Sequence, residues 1–171
     1  MTGISSVDIE GALAWLQSTW IATAVAENDI LFPWIESVHV LAIVIVVGTI
    51  SIVDLRLLGV ASLDISAKRL MRDVIPYTWG AFAIAAITGS LMFSSDATHY
   101  AHNRLFQIKL VMLVLAGLNM AVFHLFGERD IERWDAPGAT TPAAAKAAAV
   151  ISLMAWIAVV SLGRGTGFTM H

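Results

Sequence analysis

Cysteine is absent from the 171 residues, so no disulfide framework, thiolate zinc site or cysteine nucleophile exists, and thiols say nothing of the compartment. Charge is scarce as well: Asp, Glu, Lys and Arg together make 13% of the chain, about half the share usual in soluble domains. With a net charge of −3 and no block of Lys and Arg to follow phosphates, nucleic-acid binding is excluded. The chain is 58% hydrophobic with a mean hydropathy of +0.78, which excludes a water-soluble globule, intrinsic disorder and collagen alike. What remains is a membrane protein.

A spanning helix needs about 20 mainly apolar residues. Four runs qualify, at 31–53, 74–95, 105–126 and 144–163. Pro33 and Pro76 fall near the starts of the first two, where a missing N–H is harmless, and the connections hold turn residues and most charges. Short connections make sequential spans antiparallel, which predicts an all-α fold: a four-helix transmembrane bundle over residues 1–171. Ahead of it, at 6–26, Ile9, Ala12, Leu13, Leu16 and Trp20 recur at helical spacing while Asp8, Glu10, Gln17 and Ser18 interrupt them. That pattern predicts an amphipathic helix lying in the interface. Ala24-Val25-Ala26 resembles a signal-peptide cleavage site, but no basic segment precedes it.

Basic residues orient the bundle. Arg56, Lys68, Arg69 and Arg72 follow the first span, and Arg129, Arg133 and Lys146 follow the third, leaving only Arg104, Lys109 and Arg164 elsewhere. The positive-inside rule then places both termini outside and the two basic loops in the cytoplasm, with Trp15, Trp20 and Trp34 in an outer aromatic belt and Tyr77 and Trp79 in an inner one.

Ionisable side chains within spans are costly and mark function by default. Glu36, His39, Lys109 and Arg164 all fall in the outer half, and the stripe bearing Glu36 and His39 runs on through Ile43, Val47 and Ile50 to Asp54. Asp96, His99 and His102 lie in the loop above. A second, inner group comprises Asp54, Tyr77, Asn119 and His124. Lys109 and His124 are roughly 22 Å apart along one helix, so His39, at the level of Lys109, is too far from His124 for both to ligate one haem. The bland alternatives are a structural ion pair of Glu36 with Lys109 or Arg164, a satisfied interior His39, solvated His99 and His102, and an interfacial His124.

A b-type haem needs one or two imidazoles, or His with Met, in an apolar slot. His39 supplies one, His102, His99 or Met92 offers a second, and Lys109 and Arg164 suit the propionates. Glu36 would orient His39 or relay protons. A copper or zinc ion held by His39, His99, His102 and Glu36 is the competing reading, although a single E-x-x-H falls short of the repeated motif of di-iron bundles. The glycines at 163–167 follow a membrane helix and not a strand, which excludes a phosphate cradle. Residues 128–135 mix both charge signs and read as a solvated turn or short helix, and 143–149 as small-residue helix suited to close packing.

Residues 35–42, with Gly48 and 54–59, resemble the first span of a family of uncharacterised four-helix bacterial inner-membrane proteins. Residues 103–109, 116–119 and 123–124 resemble its third. More distantly the pattern is similar to copper-resistance D-type membrane proteins and to HemJ-type protoporphyrinogen oxidases, which are haem-associated. The latter share a first-span histidine, matched by His39, and a third-span lysine with a downstream histidine, matched by Lys109 and His124. The resemblance implies haem b. The expected function is a small electron-transfer subunit with a membrane or periplasmic redox partner, docked on an outer face bearing Asp8, Glu10, Glu27, Asp29, Glu36 and Asp96, in a homo- or hetero-oligomer. A cofactor-free assembly subunit and a copper- or quinone-binding protein are the rivals.

Overall fold

The computed structural model describes residues 6–127, 131–135 and 140–169. In chain order the helices are α1 (Ser6–Gln17), α2 (Trp20–Glu27), α3 (Leu31–Leu58), α4 (Ala67–Ser95), α5 (Ala97–His102), α6 (Arg104–Val122), a π-helical turn (Phe123–Gly127), α7 (Ile131–Trp134) and α8 (Ala143–Thr169). The described residues are all-α, and α3, α4, α6 and α8 are long and apolar enough to cross a membrane. At 1.5 Å per residue the 28 residues of α3 reach roughly 42 Å, beyond the hydrocarbon layer.

The helix ends differ from the hydropathy runs because capping and tertiary contacts set them. Asn28 Oδ1 accepts from the backbone N–H groups of Ile30 and Leu31 at the start of α3. That helix continues to Gly59, whose left-handed φ of 77° lets its N–H close on the carbonyls of Leu55 and Arg56. Helix α4 begins well before residue 74, since the Ser66 side chain caps it by accepting from Arg69 N–H. Pro76 consequently lies inside α4 and not at its start. The expected single N-terminal helix is two: the Thr19 hydroxyl accepts from Ala22 N–H and starts α2 as a separate segment. Trp20 points outward at 80% exposure, whereas Ala22 and Val25 are buried, in the segment that packs on α4.

Lipid is as apolar as the side chains, so helix association relies on close packing of small residues and on interhelical hydrogen bonds. Ala42, Ala81, Ala85, Ala145, Ala149 and Ala155 are all buried. Thr78 donates to Thr49 across α3 and α4 at 2.8 Å, and Asn119 Nδ2 donates to the Ala148 carbonyl across α6 and α8 at 3.0 Å. Helix α3 packs on α4, α6 on α8, and α3 on α8; α4 and α6 form no packed seam. Those two are bridged at one end by Phe93 stacked on Phe106, centroids 5.5 Å apart, with Tyr100 against both.

That end, covered by α1, α2 and α5, is termed the cap end, and the opposite one the loop end. The loop end holds the hydrophobic core, where Leu57, Met71, Phe123, Ile131 and Trp134 come together. Asp135 ties it down: its carboxylate accepts from Ala67 N–H, from Lys68 N–H and from the Arg56 guanidinium at 3.2 Å. The 128–135 stretch is thus no solvated turn at its described end, since Ile131 and Trp134 are buried and the Asp135 side chain is 5% exposed. Arg129, counted above among the basic-loop residues, lies outside the described residues.

Candidate functional site

His39 is half-buried on α3, at the face packed on α4. Its Nδ1 lies 2.9 Å from Thr88 Oγ1. Thr88 commits its own proton to the Ile84 carbonyl at 2.7 Å, so its oxygen accepts from His39 Nδ1–H. The imidazole lone pair then resides on Nε2, the tautomer in which a histidine acts as ligand or base. The ring lies against Gly89, where an added Cβ would come within 2.9 Å of His39 Cε1. A threonine and a glycine, one after the other, therefore hold the ring and make room for it. Sequence reasoning missed both, because a hydroxyl in a span ordinarily returns its hydrogen bond to its own helix and a glycine there is commonplace.

Lys109 stands in the same half of the bundle, its ammonium 4.8 Å from the centre of the Phe106 ring and its Cδ 3.6 Å from where a Cβ on Gly163 would sit. Arg164 is exposed, its guanidinium 4.8 Å over Phe168. Glu36 is exposed and, among the described residues, pairs with neither cation and does not hydrogen-bond His39. The orienting role expected of Glu36 thus falls to Thr88.

The outer histidines do not join His39. His99 Nδ1 is 2.9 Å from Asp96 Oδ2 and His102 Nδ1 donates to the Thr98 carbonyl at 2.8 Å, both rings exposed on α5. Among the described residues no three His, Asp or Glu side chains are gathered as a metal-holding group. His39, His99 and His102 therefore do not form one metal centre in this fold. The donor types suit a haem held by one imidazole: His39 has Nδ1 anchored on Thr88, no hydrogen bond is shown at its Nε2 among the described residues, and cations stand in the same half of the bundle.

The inner group largely assembles. Asp54, Asn119 and His124 border one cavity of about 170 Å³ to which all four spans contribute. Tyr77 is absent from it, being 70% exposed. The π-helical turn widens the chain where α6 ends and presents Phe123 and His124 together to the cavity; such turns recur at functional sites. His124 Nδ1 donates to the Met120 carbonyl at 2.9 Å. Asp54 is 6% exposed and its Oδ2 has no hydrogen-bond partner among the described residues.

These features define a multi-pass helical membrane protein with polar groups held between its spans. Residues 15–169 match the model of a family of unknown function, DUF6644, and the chain belongs to that family. No curated protein matches it, and no solved structure does.

Proposed function

We propose that the chain is a b-type haem protein of the bacterial inner membrane, serving as a small electron-transfer subunit of a redox complex. The observation that carries this reading is the His39 imidazole anchored through Nδ1 on Thr88, which leaves Nε2 as a ligand in a half-buried site between two spans. When bound, haem supplies a one-electron couple. His39 would hold the iron, with Thr88 fixing the tautomer and the angle of its ring and Gly89 providing the clearance. Lys109 and Arg164 would take the propionates as charge-assisted partners at the same end of the bundle.

The cap end faces the periplasm in this reading, on the weight of basic residues at the loop end. Glu10, Glu27, Asp29 and Glu36 are exposed on or beside the cap-end helices, which suits a cationic soluble carrier. The test is a dithionite-reduced minus air-oxidised spectrum with a pyridine haemochrome assay, on the unmodified chain and on His39→Ala. A sharp reduced α-band that His39→Ala loses, while still eluting as a folded species, is the expected result. A colourless, folded, unmodified protein overturns the reading.

A further inference from the structure

We propose that the loop-end cavity binds a lipid-tailed hydroquinone, with Asp54 accepting a hydrogen bond from one of its hydroxyl groups. The proposal is independent of the haem reading and concerns the other end of the bundle.

The space is mostly apolar, and of the polar side chains on its wall Asp54, Asn119 and His124 offer acceptors, while Thr78 gives its proton to Thr49 and the Ser152 hydroxyl partners the Asp54 carboxylate. Among the described residues Asp54 Oδ2 is still buried without a hydrogen-bond partner. Asn119 has spent an amide hydrogen on Ala148 and keeps its carbonyl oxygen. His124 has spent Nδ1–H on Met120 and keeps the Nε2 lone pair. A buried acceptor left unsatisfied is costly, and a fold that retains one calls for a donor from elsewhere. The guest should therefore carry O–H groups, more than one of them, since Asp54 belongs to α3 while Asn119 and His124 come from α6 and its π-helical turn.

Size and walls point to a flat ring. An apolar cavity of roughly 150 Å³ accommodates benzene, and this one, at about 170 Å³, is bordered by Trp79, Phe82, Phe123 and Trp156. The entrance points to a tail. Helices α4 and α6 form no seam beside the cavity, and Gly117 on its α6 wall has nothing within 4 Å of where a Cβ would sit. A ring can enter there sideways while its hydrocarbon chain stays among the lipids. The unpartnered oxygen selects the redox state: a hydroquinone satisfies Asp54 Oδ2, whereas the corresponding quinone, an acceptor itself, leaves it unsatisfied.

The test uses the full chain in lipid nanodiscs under argon, with tritiated decyl-hydroquinone, decyl-quinone and the hydroquinone dimethyl ether, which keeps the shape and loses both donors. Saturable retention of the hydroquinone above that of empty discs is expected, about tenfold tighter than that of the quinone or the ether. Asp54→Leu should erase the preference and Gly117→Leu, which plugs the opening, should weaken retention of the hydroquinone. Lack of saturable retention, equal retention of hydroquinone and ether, or a preference for the quinone overturns the proposal. If Asp54→Leu yields no folded protein, the hydroquinone and ether comparison on the unmodified chain decides alone.

Discussion

Two residues that look unremarkable in a membrane helix, Thr88 and Gly89, decide what His39 can do. The Thr88 hydroxyl lies between the imidazole and the Ile84 carbonyl, so in the proposed haem site it would act on the iron only through the ring it holds. Thr88→Val keeps the shape and removes the acceptor. It should lower haem affinity by about 10- to 100-fold, the usual effect of losing the partner behind a metal-bound histidine, and the midpoint potential should move, a signature that simple loosening of packing would not give. Haem titration of the apo form and redox potentiometry check this. The histidine was legible in the sequence because an ionisable group in a span stands out, and so were Asp54, Asn119 and His124. Their supports were not, since Thr and Gly are ordinary span residues and become informative only when the facing helix is known.

Element boundaries show the same division. Run length alone located the spans, and four helices are long and apolar enough to cross, as the hydropathy predicts. Where each ends depends on partners remote in sequence. Asp135 is 68 positions from Ala67 and 79 from Arg56, yet it satisfies the free N–H groups that open α4 and neutralises the guanidinium beside them. Asp135→Ala leaves two backbone donors without acceptors and a half-buried guanidinium with only the Ile65 carbonyl, and should destabilise the protein by about 3 kcal/mol, read as a lower unfolding midpoint in detergent. At the other end, Tyr100 of α5 packs on Phe93 and Phe106. Burial raises its phenol above the ordinary value of 10.0, with Asp96 and Glu36 adding negative charge nearby. Stability linked to that proton is full below the unfolded value and is lost as pH climbs through the higher folded one. In a Tyr77→Phe background, absorbance near 295 nm should show the remaining tyrosine more than half protonated at pH 10.

For the molecule as a whole, orientation is the first property to establish. With the basic loops inside, alkaline phosphatase fused after His171 should be active in a bacterial host, and the same enzyme inserted in the connection between α3 and α4 should be inactive. The bundle itself is two packed pairs, α3 with α4 and α6 with α8, joined along α3 and α8 and left apart along the remaining side. Aromatic rings fasten that side at the cap end, and the core around Trp134 fastens the chain at the loop end. On the proposed route the opening between them gives onto hydrocarbon and not onto water, and this changes the unit in which occupancy is counted. A guest that arrives by this route is supplied in two dimensions, so its effective concentration is molecules per lipid. Diluting the vesicles in buffer would leave such a site as full as before, whereas fusing in empty lipid at constant volume would drain it.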